Sequence, residues 1–338
     1  MANKAGSAPG TEERITTAQW VLSIDMIAML SGRSGVHREA IAADKWCHCQ
    51  LWCKLTTKLS TTREPELPVS EKMSNAPVYY ALAQAHFNPV AAMVKYVDQI
   101  QDRLRREGYP LFESQQFMQL IVPGPGPGPG QAQPQEPQIQ QAVSWLMTRS
   151  DRTAGFILGP SSITYHTTHY QTHNEFIPEL LRGLTAVHEA ASLDHVSRLG
   201  LRYLDAVLPQ AGETTEQYLV GGLHGIDFNA TRQHTMTETV FATDTFPLVA
   251  KGTLVVRVYR TVAPLGFPPD MLPTGLVIAP SFDIKEAREH AIIDTDHYVQ
   301  GRIPVEMDRL NEQLLSLHGT IKSVFGATTT DHARSAWA

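Results

Sequence analysis

The segment Val196–Val207, with the sequence VSRLGLRYLDAV, decides the fold class of this chain. Its odd-numbered side chains from Leu199 to Tyr203 are apolar or aromatic, whereas its even-numbered positions include Arg198 and Arg202. A period of two is typical of a β-strand with one buried face. The segment therefore predicts a strand that packs on a core with one face and presents arginines on the other.

Strand patterns elsewhere come in consecutive runs and do not alternate with helices. Beyond 196–207, the predicted strands are residues 77–87, 115–122, 141–149, 153–170, 233–243, 252–262, 274–282 and 290–300. Runs of strands favour an α+β fold with antiparallel sheets over a doubly wound parallel sheet. The order of elements also fits two similar halves, each a curved antiparallel sheet covered by a long amphipathic helix.

Apolar stripes at helical spacing predict the helices that cover the sheets. One helix is expected to begin at Asn88-Pro89, and a second at Thr172-x-x-Glu175, which has the spacing of a capping box. The stripe of a closing helix at about 305–325 consists of Leu310, Leu314, Leu317, Ile321, Val324 and Phe325. We expect this helix to lie across the sheet that contains Leu199. A second interpretation is that it docks onto another copy of the protein, as a homodimer.

Two stretches show neither the period of two of a strand nor the spacing of a helix. Residues 1–72 are expected to be either a disordered extension or a mis-assigned gene start, because Met73-Ser74-Asn75 resembles the beginning of a protein and regular patterns follow it. Residues 123–138 are rich in Gly and Pro and are expected to form a mobile loop between two strands, because Pro cannot donate to a strand ladder. Residues 73–338 are therefore expected to form a single α+β domain.

Composition narrows the class of protein. The chain has 338 residues and a net charge of −6; residues 1–72 hold nine basic and eight acidic residues, so residues 73–338 carry about −7. This balance argues against broad nucleic-acid binding. No apolar run of about 18 residues exists, so no membrane span is expected. All three cysteines lie in residues 1–72, and a cytoplasmic location is expected.

Several short motifs resemble a family of sporadically distributed, uncharacterised bacterial proteins. The matching residues are the opening Asn75-Ala76-Pro77, Phe87-Asn88-Pro89, the R-x-G-x-R-Y strand Arg198–Tyr203, Ile293–Asp296, Leu317-His318-x-x-Ile321-x-x-x-Phe325, and Ala333-Arg334-x-x-Trp337. The resemblance covers about residues 74–338 and supports a start at Met73. It implies no catalytic residues.

Asp294 and Asp296 are candidate metal ligands. They lie two apart on a predicted strand, so both carboxylates face one side, about 7 Å apart by strand rise. With Asp283 or Glu286 nearby they would hold Mg²⁺ in a hydrolase or nuclease. A pair of acidic side chains on a solvent-facing strand gives the same pattern.

Arg198, Arg202 and Arg257 are candidate binding residues. Arg198 and Arg202 share one strand face, and Arg257 lies on a neighbouring predicted strand. If all three lie opposite Asp294 and Asp296, they line a charged groove that suits a carboxylate or phosphate. The alternative is a structural ladder of cross-strand salt bridges.

Other metal-like patterns have weak spacing. Cys47, Cys49 and Cys53 do not form a recognised zinc knuckle. His166 and His169 would point to opposite faces of a strand and cannot share an ion without a bulge.

The expected function is that of a non-enzymatic binding or interaction protein with a protein partner, an accessory of a bacterial defence or toxin-related locus. The sequence has no P-loop, dinucleotide fingerprint, nucleophile elbow or H-E-x-x-H motif, and no cofactor is expected. The alternative is a metal-dependent hydrolase or nuclease that uses Asp294 and Asp296.

Overall fold

One antiparallel sheet dominates the computed structural model, which describes residues 73–121, 138–271 and 273–338. The strands of these ranges are β1 Val78–Phe87, β2 Leu111–Ile121, β3 Gln138–Thr148, β4 Ala154–Leu158, β5 Ser162–Thr167, β6 Val196–Val207, β7 His234–Asp244, β8 Lys251–Ala263 and β9 Arg288–Ile303. Their order across the sheet is β2-β3-β4-β5-β1-β6-β9-β8-β7. The predicted α+β fold with an antiparallel sheet is confirmed.

The described helices pack mainly against one face of this sheet. They are α1 Val97–Arg106, α2 His173–Ala191, α3 Thr215–Tyr218, α4 Met307–Thr328 and α5 Asp331–Trp337, with short 3-10 turns at Met93–Lys95, Gly221–Leu223 and Pro280–Phe282. None of the helices in the described ranges is long and apolar enough to cross a lipid bilayer.

The alternation of β6 determines which face each side chain occupies. Leu199, Leu201 and Tyr203 belong to the main core, together with Leu310 and Leu314 of α4. The expected placement of the closing helix over β6 is therefore confirmed. Burial of each such side chain contributes about 1.5–3 kcal/mol, and this is the main force that holds α4 on the sheet.

The opposite face of the sheet is partly covered by the connection between β8 and β9. Phe267 of this connection lies against Tyr80 of β1, with ring centroids 5.4 Å apart, and the Tyr79 hydroxyl donates to the carbonyl of Gly266 at 2.8 Å. Met271 is buried in the same small cluster. A second, smaller core thus forms on the face that the helices leave uncovered.

One predicted strand, residues 274–282, is wrong. The segment forms turns and the 3-10 helix at Pro280–Phe282. Pro273 and Pro280 lack the N–H that a strand ladder needs. The backbone of this segment forms hydrogen bonds with other parts of the chain: the Val277 N–H donates to the carbonyl of Arg152 at 2.9 Å.

The first helix begins later than predicted. Regular α-helix starts at Val97, after the short turn at Met93–Lys95, and not at Pro89. The Val90 N–H donates to the carbonyl of Pro160 at 2.8 Å, which holds this segment against the turn between β4 and β5. The prediction for residues 1–72 lies outside the described residues, and so does that for the loop at 123–138 except at Gln138, which is the first residue of β3.

Candidate functional site

The strand registers bring all five predicted site residues to the sheet face opposite the helices. Arg202 of β6 lies opposite Asp296 of β9, and Asp294 of β9 lies opposite Arg257 of β8. Arg198 is on the same face as Arg202 because the two are four residues apart on one strand. The arginines and aspartates therefore form one charged layer.

Arg202 is at the centre of this layer and binds two carboxylates. Its Nε and Nη2 donate to Asp294, both at 2.7 Å, while Nη1 and Nη2 donate to Asp270 at 2.7 and 3.0 Å. The side chain of Asp294 is fully buried and that of Arg202 is 4 % exposed. Such paired, fork-shaped contacts are the strongest form of ion pair, since geometry and charge act together.

Asp270 is a member of the site that sequence reasoning missed. It belongs to the β8–β9 connection and lies 68 residues from Arg202 in the chain. Its segment, Pro268-Pro269-Asp270, reads as a turn, and the Met271 N–H does close a turn onto the carbonyl of Pro268. A turn motif does not say which distant arginine its aspartate will reach.

Arg257 bridges two acidic groups. Its Nε donates to Glu238 of β7 at 2.6 Å, and its Nη1 lies 3.7 Å from Asp294. Glu238 is directly opposite Arg257 in the register of β7 and β8, where an opposite-charge pair stabilises the sheet. Arg257 thus serves as a cross-strand link, as the salt-bridge alternative expected.

Arg198 has looser contacts than Arg202. Its Nη2 lies 3.2 and 3.4 Å from the two oxygens of Asp296, and its Nη1 donates to Gln84 at 3.3 Å. Its guanidinium also lies over the ring of Tyr298, 4.1 Å from the centroid. An arginine on an aromatic face gains a cation–π attraction in addition to its ion pair.

Gly200 makes room for this stacking. A Cβ at this position would lie 2.8 Å from Cβ of Tyr298 and 3.5 Å from Nη1 of Arg198. The R-x-G-x-R spacing therefore has a local physical reason, since the glycine separates two arginines on one face and lets the first reach across the neighbouring strand.

Burial and charge have opposite effects on the pKa values in the layer. Burial lowers the pKa of Arg202, but Asp294 and Asp270 outweigh it, so that the pKa lies above its ordinary value. Burial raises the pKa of the Asp294 carboxyl, and the two neighbouring arginines oppose that rise. On the helix face of β6, burial also raises the pKa of Asp205 to about 7, and Asp294 adds to the effect. The pKa of Arg257 also lies above its ordinary value, because Asp294 and Glu238 outweigh the effect of burial.

The proposed metal ligands both accept bonds from arginines. Asp294 is held by Arg202, and Asp296 by Arg198. Within residues 73–121, 138–271 and 273–338, no group of three or more His, Cys, Asp or Glu side chains is arranged to hold an ion. A cation would have to displace the arginines, and metal binding by this pair stays a prediction.

The histidines and cysteines of the weaker patterns are not brought together. His166 is buried and its Nδ1 lies 2.9 Å from the Tyr80 hydroxyl, and burial lowers its pKa to about 3. His173 stacks on His318 of α4, with centroids 4.3 Å apart. Cys47, Cys49 and Cys53 lie outside the described residues.

The charged layer has a covered part and a more open part. The β8–β9 connection reaches Arg202 through Asp270. Towards the other end of the strands lie four half-buried residues, Gln84, His86, Arg198 and Tyr298, which we call the open strip. The strip is ordered by bonds of its own, since Gln84 Oε1 accepts from Nε2 of His86 at 2.7 Å and Gln84 Nε2 donates to Thr164 at 2.9 Å.

No protein-family model and no curated protein matches the chain.

Proposed function

We propose that this chain is a non-enzymatic binding protein that recognises a protein partner through the open strip. The observation that carries the proposal is the state of Arg198, whose guanidinium is oriented by Tyr298, Asp296 and Gln84 while 13 % of the side chain stays exposed. Arg202, in contrast, is 4 % exposed and saturated by two carboxylates. Arg257 is 12 % exposed, but its Nε makes a 2.6 Å bond to Glu238, so Arg198, with contacts of 3.2 Å and longer, is the exposed arginine whose bonds are the loosest.

The chemistry of the strip supports partner binding. Arginine and tyrosine dominate the energetics of protein interfaces, because each combines a large apolar surface with directional hydrogen bonds. A guanidinium that is already oriented loses less conformational entropy when a partner carboxylate or phosphate binds. The bonds from Arg198 to Asp296, at 3.2–3.4 Å, are long enough to be shared with such a group.

The biological setting is part of the same proposal. The motifs of residues 74–338 resemble a sporadically distributed bacterial family, and we place the chain in that family as a cytoplasmic accessory of a defence or toxin-related locus. This role is motivated by the distribution of the family and by the absence of a catalytic motif; the two arginines of the R-x-G-x-R-Y strand lie on the charged face, and its Tyr203 lies in the core.

We also propose that the sheet consists of two related halves. In the first, β1 is central and the chain returns from the edge through β2, β3, β4 and β5 before α2; in the second, β6 is central and β7, β8 and β9 return before α4. Two curved, antiparallel half-sheets, each with a covering amphipathic helix, would then meet where β1 pairs with β6.

The experiment co-expresses the chain with the products of the genes beside its own. At least one product is expected to co-purify in a fixed ratio. Arg198→Ala should abolish the complex and Arg198→Lys should weaken it, because lysine has no planar fork. Arg106→Ala is the matched control, since this exposed arginine pairs with Asp102 on α1, away from the strip.

Two outcomes would contradict the proposal. One is a complex that survives Arg198→Ala unchanged. The other is Mg²⁺-dependent hydrolysis of a phosphoester by the chain alone, lost in Asp294→Asn and Asp296→Asn; that result would establish the alternative function, a metal-dependent hydrolase or nuclease.

A further inference from the structure

The edge strand β7 is built for pairing with another strand. It has eleven residues, all of which pair with β8 in an unbroken register. Among the described strands, β7 has a neighbour on one side only, so the peptide groups that point away from β8 have no strand partner. Proteins usually protect such an edge with proline, lysine or a β-bulge. The sequence His234–Asp244 has none of these.

The side chains of β7 are unusually apolar for an exposed edge. Val240 is 54 % exposed on the face of the charged layer, and Phe241 is 43 % exposed on the helix face. Glu238, the acidic residue in the middle of the strand, is neutralised by Arg257. Exposed apolar side chains on both faces of a free edge mark an interaction surface more than a solvated one.

The segments at the two ends of β7 carry more exposed apolar residues. Ile226 and Phe228 precede the strand, and Phe246 follows it; all three are largely exposed. Phe246 borders a groove of about 570 Å³ between the β7–β8 turn and α4, which Leu315 and Gly319 also line. Exposed apolar side chains therefore lie at both ends of the strand as well as on it.

We propose that β7 pairs antiparallel with β7 of a second copy, about a two-fold axis at Thr239. This pairing places Thr239 opposite itself and Thr237 opposite Phe241 of the other copy. Odd positions meet odd positions, so the helix face of one sheet continues into that of the other. The two sheets then join into one of eighteen strands and the free edge disappears, as in β-strand addition.

The charges on β7 and its flanks are self-complementary under this axis. His234 at the start of the strand comes opposite Asp244 at its end. Arg232 just before the strand comes near the acidic rim of the groove, where Asp244 and Glu312 lie. The exposed Ile226 and Phe228 of one copy also approach Phe246 and the groove of the other. Arg232 and the acidic rim, and the apolar groups, therefore meet twice, once at each end of the joined strands. Within one chain Arg232 lies 3.6 Å from Glu216 and Asp244 pairs with Lys251, so the new contacts extend ion pairs that already exist.

The first experiment measures the mass of the full chain by sedimentation equilibrium across the micromolar range. We expect twice the 37.4 kDa of one chain. Phe241→Lys should weaken the dimer about a hundredfold or more, because the change removes apolar burial and adds charge on both copies. Phe112→Lys is the matched control: Phe112 is also 43 % exposed on the helix face, but lies on β2 at the opposite edge.

The second experiment leaves β7 nearly intact and tests the register. Cys47, Cys49 and Cys53 are changed to Ser, and Thr239→Cys is added. Directly opposite residues have Cβ atoms about 4.5–5.5 Å apart, so oxidation or a short bis-maleimide should link two copies. Thr235→Cys is the control, since the two copies of this residue would be about 27 Å apart along the strand.

The outcomes separate clearly. A monomer at all concentrations, a dimer that is lost in Phe112→Lys but not in Phe241→Lys, or open-ended aggregation would each overturn the proposal. Equal linking at Thr239 and Thr235 would overturn the register. A dimer with linking at Thr239 alone would establish it even if Phe241→Lys fails to fold.

Discussion

Charged residues in the layer stabilise one another through ion pairs. The contribution of each pair to stability depends on how deeply the pair is buried. Arg202 and Asp294 are almost completely buried, so both have lost their hydration. The attraction between the two charges compensates for that loss. The pair Lys251–Asp244 is the opposite case, with side chains 75 % and 87 % exposed. The same type of charge pair should therefore have very different effects on stability.

We expect Arg202→Met to lower the free energy of unfolding by about 3–5 kcal/mol, because the buried Asp294 then loses both of its short hydrogen bonds and keeps only Arg257, at 3.7 Å. Lys251→Met, the exposed control, should change it by at most about 1 kcal/mol. Urea unfolding of both variants measures the difference. The double variant Arg202→Met/Asp294→Leu should recover part of the loss. A loss in Arg202→Met as small as in the control would contradict the structural role of the pair.

Asp205 should make stability depend on pH. The folded state holds the Asp205 proton up to a pKa of about 7, whereas an unfolded aspartate releases it near pH 4. The contribution of this group is therefore fully present below about pH 4 and is lost as pH rises towards 7, by up to about 1.4 kcal/mol per pH unit. From pH 5 to pH 8, the unfolding free energy of the original chain should fall relative to that of Asp205→Asn. A constant difference would contradict the prediction.

At the scale of elements, α4 shows how one helix has two unlike sides. Leu314 is fully buried in the main core, whereas its neighbour Leu315 is 39 % exposed beside the groove at β7. Side chains one residue apart point about 100° away from each other on a helix. The two leucines therefore give a matched pair, identical in type and adjacent in sequence.

Leu314→Ala should lower the free energy of unfolding by about 2–5 kcal/mol, because it leaves a cavity between α4 and the sheet. Leu315→Ala should have a much smaller effect on the unfolding of a single chain. Denaturant unfolding at several protein concentrations measures both. If the loss in Leu314→Ala grows on dilution, Leu314 acts at an interface between copies and its intramolecular role is wrong.

At the scale of the whole molecule, the described residues are joined through the pairing of β1 with β6. These two strands pair along nearly their full length at the middle of the sheet, with bulges near Val78 and Phe87. Side chains of α2 and α4 belong to the same core above them. The main core of the described residues thus includes side chains of β1, the strand that follows Met73.

A chain that begins at Met73 should therefore fold and melt at the same temperature as the full chain. The irregular sequence pattern of residues 1–72 predicts that they do not pack on the domain, and removing residues that do not pack on a core deletes no stabilising interactions. Thermal unfolding of both chains, followed by circular dichroism, measures this. A midpoint lower by more than a few degrees would show that residues 1–72 pack on the domain, and our interpretation of that stretch would be wrong.

The sequence by itself determined those features that depend on neighbours in the chain. The period of two in Val196–Val207 predicted β6 at its observed bounds, and the helical stripe through Leu314 predicted α4, because side-chain direction follows from local backbone geometry. The strand predicted at 274–282 was wrong, although its composition is apolar and strand-like. The prolines in and beside the segment, and hydrogen-bond partners far away in the chain, outweighed this local pattern.

Only the tertiary structure decided what the charged residues do. The sequence placed Arg198 and Arg202 on one face, but not the burial of Asp294, the arrival of Asp270 from a connection 68 residues away, or the exposure of β7 at the edge. Each depends on which strands become neighbours. That choice is made by the packing of the whole core and the closure of long loops, and no short stretch of sequence records it.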